Sequence, residues 1–169
     1  FVGVDGCRGG WFAIELDDYG KCEFSVHPNI SSLWKHYQTD KPAIILIDMP
    51  IGLPEDRDER RCDKEARRLL GPKRGPSVFR VPCRQAVYAD CPDDQKRIQI
   101  KITEKSISNQ CLAIILKIRE VDGLLCNDKV ARGYFREIHP EVCFWALAGC
   151  RPMTIKKSKR DGYMERLEV

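Results

Sequence analysis

A chain of 169 residues with 43% hydrophobic side chains is the size of one domain and carries enough apolar material for a sizeable core. Lys and Arg number 29 against 25 Asp and Glu, giving a net charge of +4 and a pI near 8.6, a balance that permits a nucleic-acid partner without demanding one. Nine cysteines, an odd number with no Cys-x-x-Cys pair, point to reduced thiols and a cytoplasmic setting, and apolar runs such as Ala43 to Ile47 are too short to span a bilayer, so no membrane association is expected. Phe1 stands where an initiator Met is expected, a sign of trimming.

Phe1 to Val4 is apolar and closes on Asp5-Gly6; Gly9-Gly10 then turn the chain, and Trp11 to Leu16 has the pattern of a second strand. Asp17-Asp18-Tyr19-Gly20 forms another turn, and Cys22 to Val26 alternates as a third strand, so the chain opens with an antiparallel meander. Ser31 or Ser32 can cap a short helix through Leu33, Trp34 and Tyr37 that stops before Pro42. Ala43 to Ile47 is a continuous apolar run closed by Asp48, the pattern of a central parallel strand. Beyond the stiff Pro50 to Pro54 loop, Asp58 is placed to cap a helix striped with Cys62, Ala66, Leu69 and Leu70, which Gly71-Pro72 should end.

Residues 73–104 carry Pro76, Pro82, Pro92 and Asp93-Asp94 and are expected to form a long irregular excursion, a candidate lid. Ile107, Cys111, Ile114, Ile115, Ile118, Val121 and Leu125 mark one face of a long helix starting near Ser106. Gly133 to Pro140 follows as a strand, and Glu141 to Leu147 as a short helix. This order of elements predicts one α/β domain over residues 1–169, with a ribonuclease-H-like mixed five-stranded sheet of order 3-2-1-4-5 flanked by helices. In such a sheet the first and fourth strands are neighbours and their carboxyl ends converge.

Asp5 and Asp48 each finish an apolar strand before a turn. Each has a plain alternative role as a turn or cap residue. Side by side, however, two carboxylates at ~4 Å in partly buried surroundings repel by several kcal/mol unless a cation lies between them. Mg²⁺ or Mn²⁺ suits such a pair, because hard cations take oxygen ligands and complete their coordination with water and phosphate. Glu137 and His139 share one strand face by alternation, so Glu137 is a candidate third ligand and His139 a candidate proton carrier or phosphate contact; Glu141, at a helix start, is either a ligand or a cap. Between Arg57 and Arg84 stand ten Lys or Arg against four Asp or Glu, an excess suited to a polyanion. Within it Arg61, Arg67, Arg80, Arg84 and Ser77 are candidate phosphate contacts, although Asp63 and Arg67 can equally form a solvated helix pair. Gly6-Cys7-Arg8-Gly9-Gly10 lacks the ending of a Walker loop and leads into a strand, which weakens an ATP-binding reading of the actin or sugar-kinase kind.

Gly3-Val4-Asp5-Gly6-Cys7-Arg8-Gly9-Gly10-Trp11, Ile47 to Pro54 and Glu137-Ile138-His139-Pro140-Glu141 together resemble the domain of unknown function 429 family, regarded as predicted nucleases of ribonuclease-H-like fold. The likeness continues through Arg61-Cys62-Asp63, Ala66-Arg67, Leu70-Gly71, Ser77-Val78-Phe79 with Pro82, Ser108-Asn109-Gln110 and Glu120-Val121-Asp122. It implies that Asp5 and Asp48 stand in the places of the first- and fourth-strand metal carboxylates, with Glu137 and His139 near the last strand and Arg8 and Gln110 among the substrate contacts. The implied activity is divalent-metal-dependent cleavage of nucleic acid, DNA or RNA. Enzymes of that fold usually take a further ligand from a C-terminal helix, and neither Asp161 nor Glu165 has a convincing helix around it. Three alternatives follow: the protein continues beyond Val169, Glu137 or Glu141 substitutes, or this form is catalytically incomplete; a nucleic-acid binder that keeps the fold without the chemistry is the rival function.

Overall fold

The structure is a computed structural model describing Phe1–Val169, the side chain of Asp40 excepted. Strands β1 (Val2–Cys7), β2 (Gly10–Leu16) and β3 (Cys22–His27) form the antiparallel meander, with Val4 opposite Ala13 and Ile14 opposite Phe24. Alternation decides which side of this sheet is dry: Val2, Val4, Trp11 and Ala13 are buried, while Ile14, Leu16, Phe24 and Val26 face out. Helix α1 (Ile30–Asp40) is capped by Asn29, whose side chain accepts from the Ser32 amide, two or three residues earlier than the serines expected for this role. Asn29 wins because an amide oxygen at that position reaches the third helical N–H.

Strand β4 (Ile45–Ile47) runs parallel to β1, and β5 (Phe135–Glu137) runs parallel to β4, so the sheet order is β3-β2-β1-β4-β5, as the element pattern predicts. Both strands are shorter than expected, with Gly133 and Tyr134 belonging to a helix before β5, and single bonds from the Asp48 amide to Val4 O and from the Ile138 amide to Ile47 O prolong each ladder by one rung.

Helix α2 (Arg61–Arg74) starts after Arg60 rather than at Asp58, and at Gly71-Pro72 its first part ends as expected, the span being two helical pieces joined at a kink. Gly71 takes a φ of 65°, which glycine adopts at little cost, and Pro72 then opens a further helical turn. The expected irregular excursion is largely ordered. A 3₁₀ turn spans Gly75–Ser77, α3 spans Arg84–Val87, and α4 spans Pro92–Thr103 with proline at its first position and Asp93 and Asp94 in its first turn. The fully buried positions of α4 are Gln95, Gln99 and Thr103, with the half-buried Ile98 and Ile102 packed beside them, so polar residues fill the positions where an apolar count looks for the stripe. Gln99 satisfies itself in the core by accepting from the Cys83 amide and donating to Thr103.

Helix α5 (Asn109–Asn127), capped by Ser108, buries Cys111, Ile115, Ile118, Val121 and Leu125, matching the predicted stripe. Its Glu120 accepts from Trp11 Nε1 of β2 at 2.8 Å and from the Ile30 amide of α1 at 3.0 Å, locking three elements through one carboxylate. Three helices complete the fold: α6 (Lys129–Tyr134), α7 (Pro140–Leu147) and α8 (Arg160–Leu167). The last places Asp161 and Glu165 on a helix, contrary to expectation. All nine cysteines are free thiols, and among the described residues no helix is long and apolar enough to cross a membrane.

Candidate active site

Parallel pairing of β1 with β4 sets Val4 against Ile47, so the next residues, Asp5 and Asp48, lie beside each other where β4 ends; Asp5 does not finish its strand as expected, because β1 continues to Cys7 with Asp5 opposite Phe12 of β2. Asp5 is exposed, and its Oδ1 accepts from the Gly6 amide at 2.7 Å. Asp48 is half-buried and accepts no hydrogen bond among the described residues. Burial pushes its carboxyl above the ordinary aspartate value, and the neighbouring Asp5 charge pushes the same way; His139 and Lys157 oppose, and Glu137 adds a smaller upward push. Desolvation together with a like charge is the arrangement that favours a bound cation, and two hard carboxylate oxygen donors without an internal partner on Asp48 suit a divalent one.

The pair opens into a cleft of about 650 Å³ that also draws in Arg8 from the β1–β2 turn, Ser77 from the 3₁₀ turn, Gln110 from α5 and His139. Six residues far apart in the chain thus meet as expected. His139 places Nε2 3.4 Å from Ser77 O, and its Nδ1 is buried without a partner. Lys117 and Lys157, which the motifs did not single out, line the same cleft. Lys117 donates to Gly10 O at 2.6 Å and lies 4.6 Å from the Trp11 ring centroid, which ties the turn beside Asp5 to α5.

Glu137 and Glu141, expected as further ligands, are instead held by arginines. Glu137 accepts from Arg60 Nη2 at 2.7 Å on one oxygen, and from Arg60 Nη1 and the Ile51 amide, both at 2.8 Å, on the other. Glu141 is a buried carboxylate clasped by Arg166 Nη2 of α8 at 2.7 and 2.9 Å, although one edge of it borders the cleft. Among the described residues no three His, Cys, Asp or Glu side chains gather as a metal cluster. Glu165 of α8 binds the Thr154 hydroxyl and the Thr154 and Ile155 amides. Partial burial would raise its pKa, but those donors outweigh it and hold the carboxyl at about 2.

Most of the arginines expected to contact phosphate have structural partners. Arg67 donates to Val78 O and pairs with Glu59, not with Asp63. Arg80 donates to Arg57 O beside a separate small cavity, and Arg84 pairs with Glu55 and with the buried Asp122. Arg61 is exposed at the start of α2 and lies outside the cleft. The residue that sequence reasoning passed over is Arg60, half-buried and chelated by Asp63 and Glu137; its three-residue spacing from Asp63 was the available signal.

The fold and the site together define an α/β domain in which carboxylates from two neighbouring strands line one cleft. The model of the family described as Protein of unknown function (DUF429) matches residues 3–169, and the chain belongs to that family. No curated protein and no solved structure matches it.

Proposed function

We propose that this protein is a divalent-metal-dependent phosphodiesterase acting on nucleic acid. The observation that carries the reading is Asp48, half-buried at the carboxyl end of β4 beside Asp5 of the parallel-paired β1, with its ionisation opposed by burial and by that neighbour. Asp5 and Asp48 would hold Mg²⁺ or Mn²⁺, which when bound supplies an acidified water and neutralises charge on a phosphoryl group. The remaining work falls to residues of this chain. Lys157 and Arg8 add positive charge along the cleft and orient the phosphate, Gln110 and Ser77 offer hydrogen bonds to the backbone, and His139 stands beside Asp48 where it can hand a proton to the leaving oxygen. Glu137 takes no part as a ligand in this reading, because Arg60 and the Ile51 amide hold it.

The test is hydrolysis of end-labelled DNA, RNA and hybrid with Mg²⁺ or Mn²⁺ by the wild type and by Asp5→Asn and Asp48→Asn, with Mn²⁺ binding followed by electron paramagnetic resonance. The expected loss in either variant is about a hundredfold or more. Equal rates in wild type and variants remove the pair from the mechanism. The pairing of Glu137 and Glu141 with arginines favours one rival, a nucleic-acid binder without catalysis. That rival predicts salt-sensitive binding that persists in a chelator, with no turnover.

A further inference from the structure

The carboxylate cleft continues past Asp48, Met49, Phe79 and His139, which line both spaces, into a second cavity of about 370 Å³. That volume lies within the ~300–1,000 Å³ usual for small-ligand pockets. Its wall is mainly apolar, from Ala66 of α2, Val142 of α7, Ile138 and the Val78–Val81 segment. The polar part of the wall has an unusual bias. All five N–H donors of Arg60 are taken: Nε and Nη2 bind Asp63 at 2.9 and 2.6 Å, Nη1 and Nη2 bind Glu137, and Nη1 also binds Ile51 O. No guanidinium donor remains for an anion. Glu137 Oε1 accepts a single N–H, although a carboxylate oxygen has room for two. Asp48, Asp63 and Glu137 set three carboxylates against this one guanidinium, so the cavity disfavours a phosphate and favours an apolar group that carries N–H donors.

We propose that this cavity holds the base of the nucleotide whose phosphate lies at Asp5 and Asp48, and that it prefers bases with an exocyclic amino group. The inference rests on the phosphodiesterase reading for the position of the phosphate. A planar heteroaromatic ring satisfies the apolar walls, and its amino group satisfies the free acceptor of Glu137. A base can enter only when it is out of the stack, so the substrate is single-stranded or has the target nucleotide extruded.

Binding of adenosine, cytidine and uridine 5′-monophosphates and of ribose 5-phosphate, measured by calorimetry with Mn²⁺ present, tests this without requiring turnover. Adenosine monophosphate should bind roughly tenfold or more tightly than ribose 5-phosphate, because a buried base–aromatic or base–apolar contact contributes at least that much. Cytidine monophosphate should bind several-fold more tightly than uridine monophosphate. In Ala66→Phe, which fills the cavity from α2, the base-dependent gain should vanish while Mn²⁺ binding stays at the wild-type level. As a readout on the unaltered protein, Cys62 and Cys143 are free, exposed thiols that line the cavity, and adenosine monophosphate but not ribose 5-phosphate should shield both from alkylation. Equal affinity of adenosine monophosphate and ribose 5-phosphate, including the case in which neither binds, overturns the proposal, as does alkylation indifferent to the nucleotide. Base-dependent binding without hydrolysis of any phosphodiester would sink the proposed activity and leave the cavity's role standing; hydrolysis without base-dependent binding would do the reverse.

Discussion

Asp48 is an aspartate whose surroundings work against its charge. Its pKa is raised in the fold, so ionisation costs folding free energy; that cost is fully present above the raised pKa and disappears as pH falls through it toward the ordinary value of 3.8. Asp48→Asn should therefore melt higher than the wild type at pH 7 without divalent cations. The gap should close as the solution is acidified. On the proposed reading, in which Asp5 and Asp48 together hold the metal, added Mn²⁺ should stabilise the wild type alone. Melting curves at pH 7 and pH 4, with and without Mn²⁺, check all three expectations, and an asparagine variant that melts lower at pH 7 contradicts them. Arg60 shows the opposite case at the same scale. Burial would lower its pKa, but Asp63 and Glu137 more than compensate and keep it firmly charged. In the sequence it is only one of the ten cations between Arg57 and Arg84, because composition cannot distinguish a cation held by two carboxylates from one in water.

Among the elements, the β1–β2 hairpin aims the site. Arg8 and Gly9 form its turn, Cys7 pairs with Gly10, and Gly10 has a φ of 126°, which side-chain-bearing residues rarely adopt. A Cβ there would fall onto the carbonyl oxygen of His27 in β3. Gly10→Ala should therefore distort the β2–β3 register as well as the turn, with a loss of about 2–4 kcal/mol in urea unfolding, toward the severe end for single substitutions. A loss under ~0.5 kcal/mol would mean that the strands tolerate the displacement. Helix α4 teaches a different lesson. Its start signals, Pro92 and two following aspartates, stand plainly in the sequence, yet buried Gln95, Gln99 and Thr103 replace the apolar stripe that identifies a helix by period.

At the scale of the whole molecule, the C-terminal segment is fastened to the cleft wall by one ion pair. Arg166 of α8 reaches Glu141 of α7 with both side chains nearly buried, and also donates to Ile155 O and Gly162 O. Removing one partner of a buried pair leaves an uncompensated charge and costs about 3–5 kcal/mol. Arg166→Ala should therefore release α8, seen as faster amide exchange over residues 153–167, while α5 and the sheet keep wild-type protection. Uniform loss of protection throughout would show that α8 is integral to the cooperative core. Lys157, which lines the cleft just before α8, depends on this docking for its place.

The sheet order and the meeting of Asp5 with Asp48 were legible in the chain itself, because strand alternation, apolar run length and turn residues are local, and right-handed parallel connection leaves few topologies to choose from. The long helix α5 was equally plain in its apolar period. Which charges are free to act was not legible. Glu137, Glu141, Arg67 and Arg84 have the residue types of a nucleic-acid site, and their partners Arg60, Arg166, Glu59 and Asp122 lie between 8 and 77 residues away in sequence. Only tertiary packing brings such partners within hydrogen-bonding distance. A charge's availability depends on that distance and on burial, and neither is a property of the residue's place in the chain.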